Sequence, residues 1–212
     1  MNKKKLIKDI NRKWLISYLL FHIVLFAIFA TLISPTFSDI TELLLKLKSP
    51  SGFLPILSFP FTIVFEGILH SNLKAIIVFW RLKNTLPGNR AFSVIARNDP
   101  RIDLNKLLTL FPNGFPEKPK DQNSAWYQLF RKFSDTPTIY DAHKSFLLTR
   151  DLASLTFILM PFLLTAHLFW KTPGITIFYH ILLLVVMMII ISLSAQNYGK
   201  RFVANVLVEA TL

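Results

Sequence analysis

Glu66, His70 and Lys74 stand four residues apart in a stretch, residues 61–80, that is otherwise mostly apolar. Side chains at i, i+4 and i+8 stack on one face of a helix. A carboxylate, an imidazole and an ammonium in one row can relay protons, line an ion path or pair with one another. Twenty residues of helix span roughly 30 Å, the hydrocarbon thickness of a bilayer. A charge at that depth costs a few kcal/mol or more, so the stripe faces protein or water and the helix is an inner member of a bundle. If the span slides outward by several residues, Lys74 snorkels at the interface while Glu66 and His70 stay inside.

The other histidines offer less. His22, His167 and His180 also fall in apolar stretches. A metal site is one reading, since imidazole and carboxylate are zinc or iron ligands, and Glu66 with His70 could chelate. Against it, the chain has no HExxH and no paired HxxxH, so no metal is assigned. A proton or ion path through Glu66, His70 and Lys74 is the second reading. Interhelical pairing is the third and is favoured. By helix rise, His167 lies about 6 Å from its outer helix end and His22 about 16 Å, which argues against one common site.

Residues 81–150 carry no Gly-rich phosphate loop, no GxSxG and no metal spacing, so no catalytic residue and no cofactor is assigned. Basic residues do accumulate there beside aromatics, and Arg97, Arg101, Trp126 and Tyr127 are taken as contacts for a partner or signal. Basic and aromatic groups together can hold a nucleic acid or nucleotide. A solvated face attracted to anionic lipid is the favoured alternative.

The elements that position these groups follow from composition. Windows 14–38, 152–170 and 172–199 contain no Lys, Arg, Asp or Glu. Each holds an apolar run long enough to cross a bilayer, and residues 61–80 make a fourth. The first is longer than the apolar core of a cleaved signal and lacks a good small-x-small site, so it reads as a permanent span. Apart from Lys74, Lys and Arg divide 20 to 3 between the segments 1–13, 81–150 and 200–201 and the opposite connections. The positive-inside rule then places both termini and the middle segment in the cytoplasm. With no cysteine, disulfides and thiol chemistry are excluded.

Within the insert, Asp99-Pro100 reads as a cap and helix start, with Asp103 in the first turn of a helix running to about Phe111. A short helix is expected near residues 124–133. Another begins at Pro137 and, with no strong breaker before Pro161, runs into the third span. Residues 171–174 form a tight hairpin turn, and the last span continues as an amphipathic helix.

The runs WRLKNTLPGNRAFS, NDPRID, QNSAWYQLF and NYGKRFVANVL resemble those of small multi-spanning bacterial proteins of anti-phage defence, including the Kiwa membrane component and the membrane effectors of retron and cyclic-nucleotide systems. The resemblance covers residues 80–135 and 195–208, contains no catalytic motif and carries over no active residues. It implies a membrane-anchored sensor or effector acting with a soluble partner. The expectation is an all-α integral membrane protein with four transmembrane helices and a helical cytoplasmic insert, divided as 1–80, 81–150 and 151–212. It is expected to be a multi-pass, homo-oligomeric, non-enzymatic component of the inner membrane that contacts lipid and a soluble cytoplasmic protein. Nucleic acid or nucleotide contact is not favoured. The alternative is a small ion channel or transporter with a Glu/His-lined path.

Overall fold

The computed structural model describes residues 7–31, 64, 67, 69–169 and 171–212. Regular structure among them is entirely helical. Helix α1 is Ile7–Thr31 and α2 is Ser71–Phe79. Segment α3 is a composite of a tight turn, Pro87–Arg90, a widened turn, Ala91–Ile95, and a short α-helical end, Ala96–Asn98. Then come α4 (Leu104–Thr109), α5 (Pro119–Phe133), α6 (Pro137–Phe169) and α7 (Gly174–Glu209). The chain forms two compact units, one from Met1–His70 and Asp151–Ile190, the other from Ser71–Arg150 and Ile191–Leu212.

Three helices are long and apolar enough to cross a membrane: Ile7–Ala30, Pro137–Phe169 and Gly174–Glu209. The expected helix from Pro137 into the third apolar window is thus observed as one element, continuous through Pro161. In the stretch 61–80, residues 69 and 70 are not helical and α2 has only nine residues. Residues 61–63, 65, 66 and 68 lie outside the described set, so the described residues contain three such helices and not four.

The first unit has its polarity turned inside out. Leu155, Leu159 and Leu163 recur at helical spacing on α6 and pack with Leu19 of α1 and Leu184 of α7. Among these leucines lie fully buried polar side chains, His22, Thr156, His167 and His180. Phe162 (56%), Leu168 (63%) and Phe178 (59%) are exposed. Water would penalise that surface, whereas hydrocarbon accepts it and penalises the polar groups instead. The α6–α7 turn is a Schellman closure. Lys171 is left-handed (φ 52°), its N–H donates to Leu168 O at 3.1 Å, and Thr172 N–H donates to His167 O at 3.0 Å.

The second unit packs like a water-soluble domain. Phe92, Leu107, Trp126, Ile139, Phe202, Val203 and Leu207 are among its buried residues. Its key polar group is Gln122 of α5, only 2% exposed. Its Oε1 accepts from Phe92 N–H (3.2 Å), Ser93 N–H (3.1 Å) and Ser93 Oγ (3.1 Å), and its Nε2 donates to Glu117 O (3.1 Å). A widened turn places donors where the helix supplies no regular acceptor, and Gln122 accepts two of them. Gly88 permits the close approach of α3 to α5, for an added Cβ would meet Asn123 Oδ1 and lie 2.9 Å from Trp126.

Two local expectations are corrected. The cap of α4 is Asp103, whose carboxylate accepts from Asn105 and Lys106 N–H at 2.9 and 3.1 Å. Asp99 is taken by Arg101 instead, and the helix ends at Thr109. Helix α5 starts five residues before the expected 124, with Pro119 in its first turn, where a missing N–H costs nothing.

Replacing Gln122 by Leu should strand buried donors and destabilise the second unit by about 2–4 kcal/mol. Gly88→Ala should cost about 1–3 kcal/mol through overpacking. Denaturant unfolding followed by tryptophan fluorescence reads both.

Candidate functional site

Among the described residues, a cavity bordered by several cations lies in the second unit. The end of α3, the turn 99–101 and one face of α7 enclose a cleft of about 510 Å³. Four cations line it: Arg90, Arg101, Lys200 and Arg201. The single carboxylate in the lining, Asp99, is already engaged. It accepts from Arg101 Nε at 3.0 Å, Nη2 at 2.7 Å and the Arg101 backbone N–H at 3.1 Å. This fork holds the Asp99 carboxyl below its ordinary value, against the opposing effect of burial, and raises the guanidinium.

Arg101 is oriented from a second side. Its Nη1 donates to Asn205 Oδ1 at 3.3 Å, and Asn205 Nδ2 donates to Thr138 O at 3.4 Å. Arg101 and Arg201 therefore border both the cleft and a neighbouring hollow lined by Pro137, Asp141 and Tyr198. Arg90 is held down from its usual value by burial and by the charge of Arg81. Its Nε is buried and has no hydrogen-bond partner among the described residues. Pro87, Val94, Ile95, Pro100 and Ala204 give the cleft apolar walls. Size and lining match a small-molecule site, with donors arranged for an anion.

Of the contacts expected from sequence, only Arg101 lines this cleft. Arg97 is exposed on α3. Trp126 is a core residue, 7% exposed, stacked on Phe130 at 5.8 Å and edge-on to Phe202 at 5.2 Å. Tyr127 is exposed on the next position of α5. The four do not converge. Arg90 belongs to the basic residues that accumulate beside aromatics in the sequence, and Lys200 and Arg201 enter there through the charge tally and the run NYGKRFVANVL; none of the three is among the residues taken as contacts. Nothing local signals that residues 90 and 201 meet. The Asp99-Pro100-Arg101 turn was the one available hint.

The stripe expected at Glu66, His70 and Lys74 also looks different. Glu66 lies outside the described residues. His70 is exposed in a non-helical residue just before α2, and Lys74 is buried on α2. His70 and Lys74 thus do not share one helix. Gly67, Ser71 and Asn72 explain the break, because glycine weakens a helix interior and Ser and Asn favour helix starts. Among the described residues no group of three or more His, Cys, Asp or Glu is placed to hold a metal.

Comparison of the chain with protein-family models, with curated proteins and with solved structures finds no match.

The Asp99–Arg101 fork has a definite pH signature. A carboxyl lowered on folding stabilises fully above its ordinary value of 3.8, and that contribution disappears as pH falls through the lowered value. Asp99→Asn should therefore be the less stable protein at neutral pH. The gap should close on acidification, and it should be small because the guanidinium is solvent-accessible. Thermal unfolding midpoints of both proteins between neutral and acid pH measure it.

Proposed function

We propose that this chain is a non-enzymatic sensor or effector of the bacterial inner membrane whose second unit binds a phosphate-bearing small molecule. The observation that carries the reading is the cleft, where Arg90, Lys200 and Arg201 stand beside an Asp99–Arg101 pair that uses the one carboxylate of the lining. Guanidinium forks match phosphate oxygens bidentately, and a lysine adds a point charge. Apolar walls suit the remainder of such a ligand.

The asymmetry of Lys and Arg supports a cytoplasmic location for this cleft and for both termini. Helix α7 carries Lys200, Arg201 and Ala204 of the cleft lining in one continuous element with its apolar run, so a ligand that orders the cleft has a helix through which to bias a membrane segment. The motif resemblance at residues 80–135 and 195–208 supports a role in anti-phage defence with a soluble protein partner.

The test is calorimetric titration of the full-length protein in zwitterionic nanodiscs with pyrophosphate and with ATP. Binding should weaken about 10–100-fold in Lys200→Gln/Arg201→Gln, the loss of one charge-assisted contact or more. Nanodiscs containing phosphatidylglycerol separate the sources of phosphate. Undiminished probe binding there marks a soluble signal, and competition marks a lipid headgroup. Absence of binding to either probe in zwitterionic discs, or equal binding by the variant, overturns the reading.

A further inference from the structure

A trough of about 560 Å³ lies on the second unit, bordered by α2, the turn 82–86 and the start of α5. It shares no lining residue with the cationic cleft. Its most buried lining residues are polar: Thr85 is 9% exposed and Asn89 7%. From α5 come Lys120, Asn123 and Ser124, at i, i+3 and i+4, so they share one face of that helix. Gly88 makes room for this face, because the Asn123 amide occupies the space that a Cβ at residue 88 would need. Asn84 lines the trough from the turn, in a left-handed conformation (φ 51°) that asparagine tolerates better than most residues.

The hydrogen-bonding capacity of these groups is largely unused. Asn89 Nδ2 donates to Pro119 O at 3.1 Å, but its Oδ1 accepts from nothing among the described residues. The side chains of Asn84, Thr85, Asn123 and Ser124 likewise make no hydrogen bond among the described residues. Three amides and two hydroxyls therefore open into one trough with donors and acceptors to spare. Polar groups buried as deeply as Thr85 and Asn89 ordinarily have partners.

The lining narrows the chemistry of what would pair with them. Among the described residues no carboxylate borders the trough, so an amine finds no counter-charge. No aromatic ring borders it either, so neither a nucleobase nor a sugar ring has a face to stack on. A primary amide holds a donor and an acceptor side by side, which matches the C=O and N–H of a peptide unit. Ile76, Leu82 and Leu86 supply apolar contact for side chains that alternate along an extended segment. The exposed charges of stretches 81–85 and 117–124 are Arg81, Lys83, Lys118 and Lys120 against Glu117 and Asp121, a cationic excess.

We propose that this trough binds an extended, acidic peptide segment of a partner protein through its main chain. Asn84, Asn89 and Asn123 pair with peptide units, Thr85 and Ser124 add hydroxyl contacts, and Lys120 meets a carboxylate. The second unit then has two separate sites, one for a phosphate-bearing small molecule and one for polypeptide.

The test pans the full-length protein in zwitterionic nanodiscs against a random linear peptide library displayed on phage. Enriched peptides are resynthesised and titrated by fluorescence anisotropy. They should be acidic, and their binding should weaken about 10-fold in Asn123→Ala/Ser124→Ala and by a similar factor in Lys120→Glu, as for one or two lost contacts. Alanine favours helix at these positions, so denaturant unfolding of the double variant should match that of wild type. A further measurement uses wild type alone: replacing single peptide N–H groups by ester oxygens should weaken binding, because the main chain is what is recognised. Absence of enriched peptides, undiminished binding by the variants, indifference to ester substitution, or displacement of the peptides by neutral oligosaccharides each overturns the proposal. Pyrophosphate titration of the same variants reports on the cleft, so either site can fail alone.

Discussion

A polar group in hydrocarbon has no water to turn to, and the first unit is arranged around that constraint. Thr156 and Thr165 return their hydroxyls to carbonyls one turn back, at 2.9 and 2.8 Å. The Schellman turn occupies carbonyls that a helix end leaves open. The two histidines nearest that turn bond to each other. Leucines and phenylalanines fill the remaining space, so polar chemistry is confined to a narrow interior line. Association of such helices depends on packing and on these internal bonds, because lipid tails are as apolar as leucine.

The second unit follows the opposite rule and encloses an apolar core. Its irregular part is α3, and there the side chain of Gln122 substitutes for backbone acceptors. That replacement has a positional effect. Arg90, Val94, Ile95 and Asn98 line the cleft from the same segment that Gln122 fixes. Burying one amide thus determines where a guanidinium stands. The Asp99 fork does the same for Arg101 from the other side.

Much of the fold was legible from the chain itself. Charge-free windows located three long helices, and the lack of a breaker after Pro137 revealed that α6 runs unbroken from the insert. The hairpin at residues 171–174 followed from its length and its Pro-Gly. Boundaries set by capping were less legible: Asp99 and Asp103 are equivalent as caps until the neighbour that claims Asp99 is known. The stripe at 66, 70 and 74 presumed one unbroken helix, and the helix start at Ser71 removes that premise for its second and third members. The cleft was hidden for a different reason. Arg90, Arg101 and Arg201 are separated by up to about a hundred residues, and charge counting carries no information on which cations converge. Trp126 shows the converse, since an aromatic beside basic residues looked like a contact and is instead the wall against which α3 and α7 pack.

Lys171 adopts a left-handed conformation that glycine would enter more easily, and it lies between exposed Leu168 and Phe169 on one side and Ile175 on the other. A cation fixed at the tip of an apolar hairpin anchors that tip at the headgroup level. His167 is one helical turn away, about 6 Å along the axis. With the tip held at the headgroups, mismatch with a thicker or thinner bilayer would fall on the far ends of α6 and α7, and the His167–His180 pair would stay close to that boundary.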